Sequence, residues 1–170
     1  LLVSDTGKPI AELRDALEQQ GYTVLRAVSS AQALLRAVEH EKPDIVIIDT
    51  ESPSRDTLEQ LAFMNHAAPR PVVMFSADSD QQLIRAAVGA GVTAYMVEGL
   101  AAERLAPIIA VALARFDEES RLRSQLAEVE QQLTERKLID QAKALLIARR
   151  HLSEPAAYDL LRRQAMEQGC

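Results

Sequence analysis

Four acidic or hydroxyl side chains in the first hundred residues each follow or close a short apolar run. Asp5 follows Leu1-Leu2-Val3-Ser4, and Asp49 follows Ile45-Val46-Ile47-Ile48. Ser76 closes Val72-Val73-Met74-Phe75, and Glu98 follows Ala94-Tyr95-Met96-Val97. In an open parallel sheet, ligands bind at the carboxyl ends of the strands. If these four runs are neighbouring strands, Asp5, Asp49, Ser76 and Glu98 converge with Ser4 on one acidic pocket. Two carboxylates, Asp5 and Asp49, beside a hydroxyl could hold Mg2+, which takes oxygen ligands and keeps several waters. A carboxylate so placed can also accept a phosphoryl group, and Asp49 is the candidate acceptor. No other cofactor is required. An enzyme is not expected, because the chain has no Gly-rich phosphate loop, no nucleophile elbow and no paired-His metal spacing. His40, His66 and His151 are scattered.

The elements that must position these residues can be read from the same stretch. Residues 1–4, 22–27, 44–49, 71–76 and 93–97 read as strands. The middle three are rich in Val and Ile with little alternation, as expected for strands buried on both faces. Helical patterns fill the gaps at about 9–19, 31–39, 57–66 and 81–89. Pro9 suits a first helical position, Ser30 and Ser79 or Asp80 suit N-caps, and Gly21 and Gly91 punctuate helix ends. Five β-α repeats with right-handed crossovers predict an α/β fold, a flavodoxin-like five-stranded parallel sheet in the order 2-1-3-4-5.

From residue 100 to about 150 only Pro107 interrupts a helical pattern, near its expected start. Leu105, Ile109, Ala112 and Phe116 follow 4-3-4 spacing, and Leu122, Leu126, Val129 and Leu133 repeat it, offset by one residue. The second set predicts a coiled coil over 116–133 that pairs two copies of the chain, because a stripe of two apolar residues in seven is narrow for a globular core. A long helix folded back on its own domain is the alternative. Residues 134–170 read as two amphipathic helices joined at His151-Leu152-Ser153-Glu154-Pro155, with Ser153 as an N-cap. Two short helices bury little, so a third helix or a partner is needed to close that core.

The 170 residues carry 19 basic and 25 acidic side chains, a net charge of −6, which as a whole speaks against a nucleic-acid binder. The charge is uneven. Residues 1–100 hold 8 basic and 14 acidic side chains, whereas residues 134–170 hold 7 and 5. In the basic tail, Arg136, Lys137, Lys143, Arg149 and Arg150 fall on one helix and Arg162 and Arg163 on the next, with Tyr158 as the only tail aromatic. Aromatic residues make up 4% and Trp is absent, so a base-stacking platform is not expected. One cysteine, Cys170, excludes a disulfide framework. No run of about 18 apolar residues exists to span a membrane. The chain opens inside an apolar run without an initiator Met, so a trimmed start and a soluble cytoplasmic protein are expected.

Several of these motifs resemble known families. Pro43-Asp44-Ile45-Val46-Ile47-Ile48-Asp49 with Pro53 four residues on resembles the phosphoacceptor strand of response-regulator receiver domains. Phe75-Ser76-Ala77 looks like their switch site, and Tyr95 falls where they carry the switch aromatic. The resemblance covers about 1–115. Two positions depart from it: Ser4-Asp5 stands where receivers have two acids, and Glu98-Gly99 where they have Lys-Pro. A carboxylate at that place would repel a phosphoryl group.

Glu135-Arg136-Lys137-Leu138-Ile139, Ala142-Lys143-Ala144-Leu145-Leu146, Ala157-Tyr158 and Leu161-Arg162-Arg163-Gln164-Ala165-Met166 resemble the ANTAR domain, a three-helix RNA-binding module of transcription antiterminators, whose third helix would follow Met166. The resemblance implies an ANTAR domain over 134–170 and RNA contacts from Arg136, Lys137, Lys143, Arg149, Arg150, Tyr158, Arg162 and Arg163. Asp49-Thr50-Glu51-Ser52-Pro53, Pro69-Arg70-Pro71 and Ala94-Tyr95-Met96-Val97-Glu98-Gly99 look like the nitrate-assimilation antiterminators of the NasT type. That resemblance implies binding to leader-mRNA hairpins, read-through of nitrate or nitrite assimilation genes, and control by a nitrate-sensing partner protein. A conventional response regulator switched by phosphorylation of Asp49 is the second reading. A pure interaction protein, with the tail as a dimerisation hairpin, is the third.

Overall fold

The structure is a computed structural model that describes residues 1–4, 10–25, 27–28, 33–97 and 102–168. Residues 1–119 form one compact unit and 120–170 a second.

The first unit alternates strands and helices. Strand β1 (Leu2–Ser4) leads through α1 (Ile10–Gln19) to β2 (Ala27–Val28), α2 (Leu34–Glu41), β3 (Val46–Thr50), α3 (Arg55–Ala67), β4 (Val72–Ser76), α4 (Gln81–Gly89) and β5 (Ala94–Val97). The five strands are parallel in the order β2-β1-β3-β4-β5. Alternation along each strand divides the core into two layers. Val3, Val46, Ile48, Val72 and Met74 pack with Leu34, Val38, Leu61, Met64 and Ala87, the inner faces of α2, α3 and α4. Leu2, Ile47, Val73 and Phe75 pack on the other side with Leu13 and Leu17 of α1 and with Leu105, Ile109 and Ala112. Both faces are covered, which is why these strands read as unbroken apolar runs.

The second strand differs from the sequence expectation. Among the described residues, Ala27 and Val28 pair, opposite Leu2 and Val3, and 22–25 lie outside the ladder. With Ala27 opposite Leu2, residues 22–25 have no residue of β1 beside them. Tyr22 and Val24 instead rest half-buried against the second core layer. Helix α3 begins two residues earlier than expected, because Ser54 caps it by accepting from the Thr57 N–H at 3.1 Å. Asp80 rather than Ser79 caps α4, its Oδ1 accepting from the Gln82 and Leu83 amides. The expected cap Ser30 and the expected first helical residue Pro9 lie outside the described residues. Gly91 turns the chain after α4 at φ +101°, and a Cβ there would stand 2.5 Å from the Asn65 side chain, so only glycine fits.

Helix α5 (Ala102–Arg150) runs unbroken for 49 residues, with Pro107 near its start, in the second turn. Helix α6 (Glu154–Gln168) follows after a turn in which His151 adopts φ +53°. In the second unit Ala157 is fully buried, while Ala142, Leu146, Leu160, Leu161 and Ala165 are half-buried. Leu138, Ile139 and Leu145, three of the apolar positions read from the sequence, are exposed. A hairpin of two helices covers one narrow face of each and leaves its flanks open.

Candidate functional site

The register of the sheet assembles one edge residue by residue. Ser4 stands opposite Asp49, Thr50 opposite Ser76, and Ser76 opposite Val97. Ser4, Thr50 and Ser76 are buried and Asp49 is half-buried. Asp5 and Glu98, the other two acids expected here, lie outside the described residues. The Ser76 hydroxyl donates to the Glu51 carbonyl at 2.9 Å and accepts from the Asp78 N–H at 3.1 Å. The Tyr95 hydroxyl donates to the Asp78 carbonyl at 3.0 Å, and its ring packs on the first core layer. No group of three or more His, Cys, Asp or Glu poised for a metal occurs among the described residues. Among the described residues at this edge, Asp49 brings a carboxylate and Ser4, opposite it on β1, a hydroxyl. That set suits only a cation that keeps most of its waters, which is how Mg2+ behaves.

The second unit presents the basic residues. Arg136, Lys137, Arg149, Arg150, Arg162 and Arg163 are exposed on α5 and α6, and Tyr158 is 51% exposed. Lys143 is different. Its ammonium lies 2.9 Å from Asp140 Oδ1 and 3.2 Å from Glu154 Oε1, with the side chain only 19% exposed. It joins α5 to the first residue of α6. Further towards the start of α5, Leu122, Leu126, Val129 and Leu133 are 51–59% exposed.

Residues 1–110 match the response regulator receiver domain family, and residues 127–170 match the ANTAR domain family. The chain is a receiver–ANTAR response regulator. It is 30% identical over 167 residues to the transcriptional regulatory protein PdtaR of Mycobacterium tuberculosis, covering 98% of this chain and 82% of that protein. It is 32% identical over 115 residues to the KDP operon transcriptional regulatory protein KdpE of Escherichia coli, covering 68% of this chain and 51% of that one. The signal receiver domain of a modulated diguanylate cyclase from Desulfovibrio desulfuricans superposes with a TM-score of 0.60 at 24% identity, covering 69% of this chain and 95% of that one, a likeness of fold alone. A receiver–ANTAR regulator is an RNA-binding antiterminator and not an enzyme. No helix among the described residues is long and apolar enough to cross a membrane.

In this response regulator the phosphate contact expected of Lys143 meets a different geometry. An RNA phosphate would have to displace two carboxylates that already hold the ammonium. The hydrogen bond to Asp140, then that to Glu154, raises the Lys143 pKa above its ordinary 10.5. The same bond from Lys143, helped by its charge, holds Asp140 below its ordinary 3.8. The depressed carboxyl contributes stability above 3.8 that is lost as pH falls through its folded value. The raised ammonium contributes stability below 10.5 that is lost as pH rises through its folded value. A Lys143→Met chain should therefore melt below the parent at neutral pH, with the gap closing in acid once Asp140 is protonated. A gap that stays constant with pH would assign the effect to packing of the lysine stem. Asp140, Glu154, Ser52 and Asp78 escaped the sequence reading. The signal for Lys143 was present in the i, i+3 spacing from Asp140, but the reach to Glu154 depends on the turn geometry at His151.

Proposed function

We propose that this receiver–ANTAR regulator binds hairpins in the leader mRNA of nitrate or nitrite assimilation genes and permits read-through, under the control of a nitrate-sensing partner protein in the cytoplasm. The observation that carries RNA binding is the exposed set Arg136, Lys137, Arg149, Arg150, Arg162 and Arg163 on a domain matched to ANTAR. Phosphates are their natural counter-charges, and a hairpin loop offers unpaired bases that Tyr158 can stack on. The receiver-like domain takes residues 1–115, the linking coiled coil 116–133 and the RNA-binding module 134–170. Leu122, Leu126, Val129 and Leu133 form the seam of a homodimer, since four exposed large apolar residues at 4-3-4 spacing match a coiled-coil face.

Control by a partner is supported at the acidic edge. The Ser76 hydroxyl is already bonded to the Glu51 carbonyl, and Glu98-Gly99 replaces the basic residue that would steady a phosphoryl group. Receiver domains typically use Mg2+ for phosphorylation, and Asp49 with Asp5 and Ser4 would hold it here. Phosphorylation of Asp49 as the main switch remains the second reading, favoured by the position of Asp49 at the end of β3.

Binding of the full chain to a leader hairpin, titrated from low to high salt, tests the reading. Several Lys/Arg contacts predict tight binding at low salt and a steep, linear fall of log affinity with log salt. Absence of binding at low salt would remove the antiterminator assignment. A monomer-to-dimer shift on addition of beryllofluoride and Mg2+, abolished by Asp49→Asn, would move control to phosphorylation.

A further inference from the structure

The loops at the carboxyl edge of the sheet are joined by a side chain to which no role has been given. Asp78 lies on the β4–α4 loop, and its carboxylate makes two bonds with different parts of the molecule. Oδ2 accepts from the Ser52 hydroxyl on the β3–α3 loop at 2.8 Å, and Oδ1 accepts from the Asp80 N–H at 2.9 Å. Its backbone is engaged as well, the N–H donating to Ser76 Oγ and the carbonyl accepting from Tyr95. Beside Ser52 on the same β3–α3 loop, the Glu51 carbonyl accepts from Ser76 Oγ at 2.9 Å and from the Ala77 N–H at 3.1 Å. Asp78 thus bonds to the β3–α3 loop, to β4 and to β5, and the Glu51 carbonyl adds a second tie between β3 and β4. The two bonds also hold the Asp78 carboxyl below the ordinary carboxylate value, so the charged, bond-accepting form is the one present at neutral pH.

We propose that Asp78 is a positioning residue, a carboxylate latch that closes the β3–α3 loop onto the β4–α4 loop through Ser52 and so holds the Ser76 and Tyr95 hydroxyls in place without any phosphoryl group. This rests on the reading that a partner protein, rather than phosphorylation, controls the chain. A face that is already closed gains nothing from phosphoryl transfer. It presents one fixed surface, which a partner can cover or release.

Ser76 Oγ is both donor and acceptor in the network, so it cannot turn toward Asp49 without giving up the Glu51 carbonyl and exposing the Asp78 N–H. Tyr95 cannot swing outward without breaking its bond to the Asp78 carbonyl. Both movements require the Asp78 loop to shift, and the Ser52 bond opposes that shift. The amides of Ala77, Asp78 and Asp80 all have their acceptors inside this network, so their exchange with solvent reports whether it is closed.

Amide hydrogen exchange on the full chain tests the latch. In the parent protein, these three amides should be protected with Mg2+ alone and change by less than about twofold when beryllofluoride is added. Ser52→Ala should speed their exchange by at least about fivefold while peptides from β3 and β4 stay protected, which shows that the sheet is intact. Ser52→Thr, which keeps the hydroxyl, should restore the parent rates, a rescue that a general loosening of the fold would not give. Unchanged rates in Ser52→Ala, or strong new protection of the parent by beryllofluoride, would overturn the proposal. RNA binding by the same variants is read separately. A failed latch with intact RNA binding counts against this inference alone, and lost RNA binding counts against the proposed function.

Discussion

Replacing both Arg162 and Arg163 with glutamate is expected to weaken binding to a leader hairpin by about a hundredfold at moderate salt, with the effect similar across hairpin sequences. The two residues are adjacent and exposed on α6. If each meets a phosphate, removing two charge-assisted hydrogen bonds forfeits about 3 kcal/mol. The salt slope should also flatten by about one for each phosphate that is no longer neutralised. Reversal rather than truncation is the sharper change, because each glutamate also repels the phosphate its predecessor attracted. The measurement is a set of affinities at several salt concentrations for parent and variant. Equal slopes would show that these arginines only solvate the helix. Circular dichroism guards the interpretation, since exposed positions on α6 should tolerate glutamate without loss of helicity.

The second large effect belongs to Leu126. It is the most exposed of the four seam residues at 59%, and in a paired coiled coil it would be among the most buried. Leu126→Glu places a charge inside that seam, where an unpaired carboxylate is strongly disfavoured. The variant should sediment as a monomer at concentrations where the parent is dimeric. Its affinity for a single hairpin should be unchanged, whereas its affinity for an RNA carrying two hairpins should fall by about 10²-fold or more, the advantage of linked sites having gone. A parent that is monomeric throughout would dissolve the seam as an interface between copies.

The contrast along α5 shows what could be read from the sequence and what could not. Leu105, Ile109 and Ala112 share their spacing with Leu122, Leu126 and Val129, yet the first three are buried against the sheet and the second three are exposed. Periodicity announces a helix face but not its occupant. The one-residue offset between the two sets was the visible trace of the change. The sheet was legible for a related reason. Val46 to Ile48 and Val72 to Phe75 are apolar on both sides, and only a strand covered on both faces tolerates that. The second strand was misjudged because Tyr22 and Val24 pack against the core without pairing, so their hydrophobicity carried no information about the ladder.

The candidate sites divide along the same line. That Ser4, Asp49 and Ser76 share one edge of the sheet was legible, because strand ends are readable and register follows from them. For Lys143 the sequence shows the charge and not both of the carboxylates that hold it. Its pairing with Glu154 is set by a turn of three residues whose left-handed His151 no sequence pattern marks. Asp78 and Ser52 were missed for the converse reason. They lie 26 residues apart on loops, and only the parallel packing of β3 beside β4 brings them within a hydrogen bond.

The order of the strands bears on how another molecule can meet this domain. A strand on the rim of a sheet offers unpaired amides and carbonyls on which another molecule's strand can template itself. In the order β2-β1-β3-β4-β5 the rims are β2 and β5, and the strand that carries Asp49 is the central one, paired on both sides. A chain that extends this sheet therefore stops two strands short of Asp49, and a protein that engages the Asp49 edge must grip the loops and side chains there.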